Sequence, residues 1–420
     1  MGDKMVSVKR LQYSNFIIPL IFIDLLLLPN FPLFVMPMSL PIVMIMVVLK
    51  KIKIEKDKYY VVYIIMVFFV LASVVMSFLQ RDNYLVGINI PVENIKRAFQ
   101  LLTSFFYFFT IKSCASDFKM NIKKILMIFV TLYISLGLVS YYNTALYFKI
   151  LELLSINNPF VSDWFLRQRI ELFRYSYIWI DPNNATYALQ MVIFYMLVNE
   201  KLNLFETLYL YFSLILSLLF GMSTGGLISA TSFFVLYILN MVLRFSDVKT
   251  SYKKILFGII SFILGVIISG TIFIFLKDKF ASIIEYSFNR MSNNTSGGRI
   301  DKYSFMFGNK IPNIIGEGYV LIREGLFFRP HSDHLRFIYS YGLIAYISSI
   351  WFFFRKVLYS SKYLFIIPGF MAYSINSLID EQKILLVLLC LLAYLEGNKN
   401  SESNSNIHNT NKNQFITVDR

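Results

Sequence analysis

Apolar runs of about 18 or more residues recur along this chain of 420 residues, and a bilayer core takes roughly 20 residues of helix to cross. No other feature restricts the fold as strongly. Backbone placed in hydrocarbon must satisfy its own hydrogen bonds, which leaves helices or closed barrels. The runs are continuous rather than alternating, which excludes a barrel. Composition agrees: 57% of residues are hydrophobic, 17% aromatic and only 15% charged, and the mean hydropathy is +0.60. That is too little polar surface to cover a soluble domain of this length. The expected fold class is all-α, a polytopic membrane protein. Cys114 and Cys390 are the only cysteines, too few for a disulfide framework and in no metal-type spacing. The first apolar run has no small-x-small cleavage site and leads straight into further membrane segments, so no cleavable signal is expected.

Hydropathy predicts about twelve spans, near 16–31, 33–49, 59–79, 98–113, 123–142, 183–198, 204–220, 225–243, 255–276, 334–354, 362–379 and 383–396. Pro29, Pro32, Pro37 and Pro41 interrupt the first pair. Charge sets the parity there. Lys4, Lys9 and Arg10 precede the pair and Lys50, Lys51, Lys53, Lys56 and Lys58 follow it; both clusters favour the cytoplasm, so the chain crosses twice. The same rule assigns inner loops to Lys112, Lys119, Lys123 and Lys124, to Arg244, Lys249, Lys253 and Lys254, and to Arg355, Lys356 and Lys362. Both termini then lie inside. Residues 1–398 are expected to form one membrane-embedded domain with two long outer loops, about 143–182 and 277–333. The Asn- and Ser-rich segment 399–420 reads as a disordered cytoplasmic tail. Loops of such length in a packed protein tend to be functional or disordered, and the aromatic residues here argue for function. No internal repeat is present.

The cations sort unequally between the two sides. Arg10, Arg244, Arg355 and Arg420 fall inside; Arg81, Arg97, Arg167, Arg169, Arg174, Arg290, Arg299, Arg323, Arg329 and Arg336 fall outside or at the outer rim. Positive-inside bias treats Lys and Arg alike and cannot produce that split. Guanidinium stays charged when partly desolvated and binds phosphate oxygens bidentately, so an outer phosphate or pyrophosphate pocket is the simple reading. The trio Arg167, Arg169 and Arg174 in WFLRQRIELFRYSY is its densest part. The alternative is structural: the arginines pair with Asp163, Glu171, Asp181, Glu285, Asp301, Glu317 and Glu324, or touch lipid head groups. Asp24 is the one clear acidic residue inside a predicted span.

Two of the three histidines stand together in RPHSDHLRFIYSYGLIAY, residues 329–346. Imidazole titrates near neutrality and can take a proton from a hydroxyl that must become a nucleophile. In a helix His331 and His334 would share a face, and Asp333 could orient one ring. The competing reading is a histidine that merely anchors the helix at the interface. A metal is not expected, because H-x-x-H with one Asp is a thin zinc set and the third histidine, His408, lies in the tail.

The pattern H-S-D-H-L-x6-G-L-I starting at His331 resembles the signature of the O-antigen ligase and Wzy-type O-antigen polymerase superfamily. SGGRIDKYSFMFGNKIPNIIGEGYV, residues 296–320, is similar to that family's S-G-R segment followed by a G-x-G turn, here Gly316-Glu317-Gly318. WIDPNNATYAL, residues 179–189, is similar to its D-P-N-x-x-A start of a membrane helix. The resemblance covers most of the chain after residue 140, and most closely an O-antigen polymerase. It implies a GT-C type fold of about 12 transmembrane helices with two extracytoplasmic loops. It also implies a metal-independent, inverting glycosyltransferase with no cofactor. Such an enzyme moves a growing glycan from undecaprenyl pyrophosphate to a sugar hydroxyl of another lipid-linked unit, on the periplasmic side of the bacterial inner membrane.

By motif His331 carries over as the histidine of the second loop, with Asp333 and His334 beside it, and Arg299 as the arginine of S-G-R. Arg167, Arg169, Arg174, Arg323 and Arg329 are the remaining candidates for the pyrophosphate. The arginine–glycine spacing of eleven residues found in some polymerases is absent. The implied partners are the undecaprenyl-pyrophosphate-linked oligosaccharide and membrane lipids, with a chain-length regulator and a flippase as protein partners; no nucleic acid is expected. Two alternatives stay open: a ligase that delivers glycan to lipid A-core, and a flippase for the lipid-linked oligosaccharide. A flippase would more often show repeat symmetry and ionisable residues at mid-membrane. AT-rich codon bias, seen as abundant Lys, Ile, Asn, Phe and Tyr, favours the polymerase.

Overall fold

The computed structural model describes residues 2–28, 36–49, 51–52, 54, 57–79, 84–85, 88–118, 120–154, 174–179, 181–221, 223–244, 285, 304–308, 311–323, 326–327, 332–355, 360–375 and 382–398. The protein is mostly helical. Its helices are α1 (Gly2–Leu27), α2 (Leu40–Val48), α3 (Lys58–Phe78), α4 (Ile90–Ala115), α5 (Ile122–Tyr142), α6 (Thr144–Leu154), α7 (Pro182–Asn199), α8 (Leu204–Gly221), α9 (Thr224–Arg244), α10 (Asp333–Tyr341), α11 (Leu343–Phe354), a 3-10 turn (Ser361–Ile366) running into α12 (Ile367–Ile375), and α13 (382–398). The described residues also include a short helix at 304–308 and two antiparallel ladders of two residues each: β1 (Tyr84–Leu85) with β2 (Ile88–Asn89), and β3 (Ile322–Arg323) with β4 (Leu326–Phe327).

Helix starts follow local chemistry. Asp57, Asn89, Asn121 and Asp181 each accept a backbone N–H of the first turn that has no intrahelical partner. Pro91 and Pro182 sit where a missing N–H is harmless. Among the described residues three helices, α3, α5 and α8, are long and apolar enough to cross a membrane, which makes this a helical membrane protein. Shorter apolar helices occupy Tyr13–Leu27, Gly225–Asn240 and Leu343–Phe354. The predicted span 255–276 lies outside the described residues. So do most of the predicted outer loops and the predicted tail 399–420.

The helices alternate in direction, and their ends pair consistently. At one end Lys112 pairs with Asp57, Lys123 Nζ reaches Glu206 at 2.6 Å, Asn199 Nδ2 donates to the Lys362 carbonyl, and Gly397 sits against the Lys112 carbonyl. At the other end Tyr175 N donates to the Phe220 carbonyl and Val320 N to Asn94 Oδ1. These are termed the Asp57 end and the Tyr319 end. Between them runs an aromatic core: Phe352 of α11 lies 4.8 Å from both Phe105 and Phe108 of α4 and 5.1 Å from Tyr59 of α3. Helices α7 and α13 are buried on nearly every face, as expected of elements at the centre of a bundle.

Three expectations change. The predicted span 334–354 is two helices. Gly342, at φ +91° and ψ 168°, breaks the run between α10 and α11. The chain folds back there, so that His334 meets Tyr346 twelve residues on; a continuous helix would hold them about 18 Å apart. In the predicted span 33–49 the described residues 36–39 are not helical, and the helix covers Leu40–Val48. The predicted loop 143–182 is not wholly a surface loop. Thr144–Leu154 is helical, and Tyr175, Tyr177 and Trp179 are buried, with Tyr133 of α5 stacked on Tyr177 at 5.2 Å.

Gly342 is also hemmed in, because a Cβ there would overlap the Ile314 carbonyl, and one on Gly316 would overlap the Ser340 backbone. Left-handed strain and overlap together should make Gly342→Ala lose about 3 kcal/mol or more. Gly308→Ala, with nothing within 4 Å of the new methyl, should stay within about 0.5 kcal/mol. Thermal unfolding in detergent of both variants against the parent measures the difference.

Candidate functional site

Polar side chains gather at the Tyr319 end in two groups. The first is built on the start of α7. Asp181 caps the helix by accepting from Asn183 N at 2.7 Å. Pro182 occupies the first turn, and that places Asn183 facing the α8–α9 turn. Asn183 Oδ1 there accepts from Arg174 Nη2 at 2.9 Å and from Ser223 Oγ at 2.8 Å. Arg174 Nε donates to the Gly221 carbonyl at 3.0 Å. Thr186 packs where a Cβ on Gly221 or Gly226 would stand, and Gln190 Nε2 donates to the Gly226 carbonyl at 2.7 Å. The D-P-N-x-x-A segment is thus a joint between α7, α8, α9 and a buried arginine.

The second group joins the G-x-G turn to the histidine helix. Glu317 N donates to the Tyr339 carbonyl and Gly318 N to the Ser340 carbonyl, both at 2.9 Å, while Leu343 N donates to the Asn313 carbonyl at 3.0 Å. Gly318, at φ +96°, fits against Asn94 and Ser77. Asn94 Oδ1 accepts from Val320 N at 2.8 Å. The Tyr319 ring then lies between two guanidinium groups, Arg336 of α10 at 4.4 Å and Arg97 of α4 at 5.0 Å. Arg97 also binds Glu93 Oε1 at 2.7 Å and Gln100 Oε1 at 3.1 Å. Burial alone would raise the Glu93 pKa, but Arg97 and Lys96 outweigh it and hold the carboxyl below its ordinary range.

The histidine helix begins at Asp333, with Ser332 at its N-cap. Asp333 is fully buried. His334 Nδ1 is 2.9 Å from Tyr346 Oη and Nε2 is 3.0 Å from Ser374 Oγ, with the Tyr373 ring edge-on at 4.7 Å. Both ring nitrogens therefore meet hydroxyls from α11 and α12, the geometry of an imidazole that ties three helices together. Of the candidate arginines, Arg174 is in the first group and Arg323 lies on strand β3. His331, Arg167, Arg169, Arg299 and Arg329 lie outside the described residues. Among the described residues no three His, Cys, Asp or Glu side chains converge as a metal set would.

Sequence reasoning passed over Asn94, Tyr319 and the pairing of Arg97 with Arg336. It also left Asp24 without a partner. Lys383, at the start of α13, lies 3.7 Å from Asp24 Oδ1 and donates to the Asp24 carbonyl at 2.8 Å and to the Leu28 carbonyl. Ser39 N donates to Asp24 Oδ2 at 2.6 Å, and Ser39 Oγ meets Tyr107 Oη at 2.8 Å. The neighbouring Gln382 binds the Gln100 carbonyl at 2.9 Å. This ion pair is level with the middle of α4. An ionisable group inside a predicted span is a signal to search for a partner, and Lys383 was the cation to test.

Replacing Tyr319 by Leu removes both cation–ring contacts, which at a desolvated site are worth about 1–2 kcal/mol each. Tyr319→Leu should therefore lower unfolding stability by about 2–4 kcal/mol. Tyr319→Phe, which keeps the ring, should retain most of it. Chemical unfolding in detergent micelles, followed by tryptophan fluorescence, separates the two.

Compared with family models, curated proteins and solved structures, the chain matches none of them.

Proposed function

We propose that this protein polymerises lipid-linked oligosaccharide repeat units, acting as a metal-independent inverting glycosyltransferase of the O-antigen polymerase type. The observation that carries this reading is the meeting of sequence motifs at one end of the bundle. The G-x-G turn is hydrogen-bonded to the helix that starts within the H-S-D-H-L motif, and the D-P-N segment holds a buried arginine near the same end. The resemblance drawn from sequence needs these segments on one face, and separate ends would count against it.

In the proposed reaction a hydroxyl oxygen of one lipid-linked unit attacks the anomeric carbon of the growing glycan. The bond from that carbon to the pyrophosphate oxygen breaks, and undecaprenyl pyrophosphate leaves with the electron pair. His331, next to Asp333 and His334, accepts the hydroxyl proton. Guanidinium groups steady the leaving diphosphate: Arg174 from the first loop with Arg167 and Arg169, and Arg299, Arg323 and Arg329 from the second. Fixed donors of this kind act where charge develops and can remove several kcal/mol from a barrier. A single displacement inverts the anomeric centre. The proposed setting is the bacterial inner membrane, with about 12 spans of GT-C type, both termini in the cytoplasm and the Tyr319 end toward the periplasm.

Deleting the gene in its own strain tests the reading. Loss of a polymerase leaves lipid A-core decorated with one repeat unit, loss of a ligase leaves it bare, and loss of a flippase traps the lipid-linked unit on the inner face. The first pattern is expected. Restoring the strain with His331→Ala should lower polymer formation roughly 10²–10⁴-fold, the range for a lost proton acceptor, at unchanged protein level in the membrane. A normal chain-length ladder in the deletion strain would refute the proposal.

A further inference from the structure

One stretch at the Tyr319 end keeps large apolar side chains in the open. Ile311 is 83% exposed, Ile314 62%, Phe307 50% and Ile315 37%. The same stretch is fastened at its far side, where Gly316 lies under the Ser340 backbone and Asn313 accepts from Leu343 N. The Asn313 hydrogen bond and the close seat of Gly316 set the backbone position of 311–316, while Ile311 and Ile314 stay more than half exposed.

The place where it is fastened sets its depth. Leu343 opens α11, an apolar helix that runs beside α3 and meets its first turn through Phe352 and Tyr59. Leu343 is nine residues from Phe352, about 13 Å along the helix. From Tyr59 to Phe78 at its other end, α3 extends about 28 Å by the same rise. Asn313, bonded to Leu343, therefore lies below the top of a helix apolar enough to cross a membrane. Leu343 and Ile347 continue the exposed apolar surface along α11, at 40% and 57% exposure. Ile311 and Ile314 extend that exposed apolar surface across 311–315, which is neither helix nor strand. Backbone at such depth must have its polar groups satisfied by protein, and the bonds from Leu343 N, from Glu317 N to Tyr339 and from Gly318 N to Ser340 do part of this.

We propose that Ile311, Ile314 and Ile315, together with Phe307, form an apolar lip that inserts into the acyl region of the membrane leaflet at the Tyr319 end, with these four side chains in contact with lipid. The occupant is bilayer lipid, because the exposed surface is continuous with the lipid-facing side of α11. The lip ties the G-x-G turn to a defined height in the membrane, whatever reaction takes place there.

Spin labels placed singly at Ile311→Cys and Ile314→Cys, with the protein in liposomes, read this directly. Both native cysteines are buried. Ile347→Cys supplies the lipid reference and Lys201→Cys, on an exposed turn, the aqueous one. At 311 and 314, collisions with oxygen should exceed those with a water-soluble nickel complex, as at 347 and opposite to 201. A ratio like that of 201 at both positions would overturn the proposal. So would protection from both reagents, which would mean that protein covers the lip. Neither readout depends on the activity proposed above.

Discussion

Polar groups carried into an apolar bundle must find their partners within the protein, and this requirement organises most of the structure described here. An unsatisfied hydrogen-bonding group in such surroundings costs about 1–3 kcal/mol, and a charged one more. The polar side chains accordingly stand at joints between helices. Arg174 and Asn183 join α7 to the α8–α9 turn. Gln382 joins α13 to α4, and His334 joins α10 to α11 and α12. Apolar packing supplies the mass of the bundle but little direction, since one leucine face fits another in many registers. The polar joints choose the register.

The candidate site follows from the same rule. A tyrosine ring close to two guanidinium groups adds a favourable contact because the ring face offers negative potential, and Arg97 has both the Tyr319 ring and the Glu93 carboxylate. Arg97 and Arg336 come from helices far apart in sequence, and Tyr319 brings them to one place. Guanidinium tolerates this arrangement better than ammonium, being planar and more weakly hydrated. Among the described residues Arg97, Arg174 and Arg336 help to build the frame at this end.

Much of the helical frame was legible in sequence, because the signals are local. Apolar stretches bounded by Asp57, Asn121 and Asp181 announce their own starts, and α3, α5, α7 and α8 lie close to where hydropathy puts them. Hydropathy sums over a window and carries no information on φ, so Gly342, the glycine of the H-S-D-H-L-x6-G-L-I pattern, was not read as a break inside a predicted span. Loop length does not tell whether a loop turns back into the bundle; the run Tyr175, Tyr177, Trp179 was the clue that this one does. The site was legible as motifs and not as contacts. Asn94 and Val320 are 226 residues apart, and no spacing rule reaches that far. His334 was singled out for its chemistry, yet its surroundings in three dimensions are those of a helix joint.

The pairing of Asp24 with Lys383 has a consequence for how the molecule is made. The lysine donates to a backbone carbonyl 359 residues earlier in the chain, and ribosomes add about 5–20 residues per second. For roughly 20–70 s of synthesis the Asp24 carboxylate of α1 therefore waits for its cation. During that interval α1 must borrow water or a lipid head group, or stay only loosely seated. The bundle closes on its earliest element only when its last helix arrives, so a nascent chain halted before residue 382 lacks the charge that holds its own beginning in place.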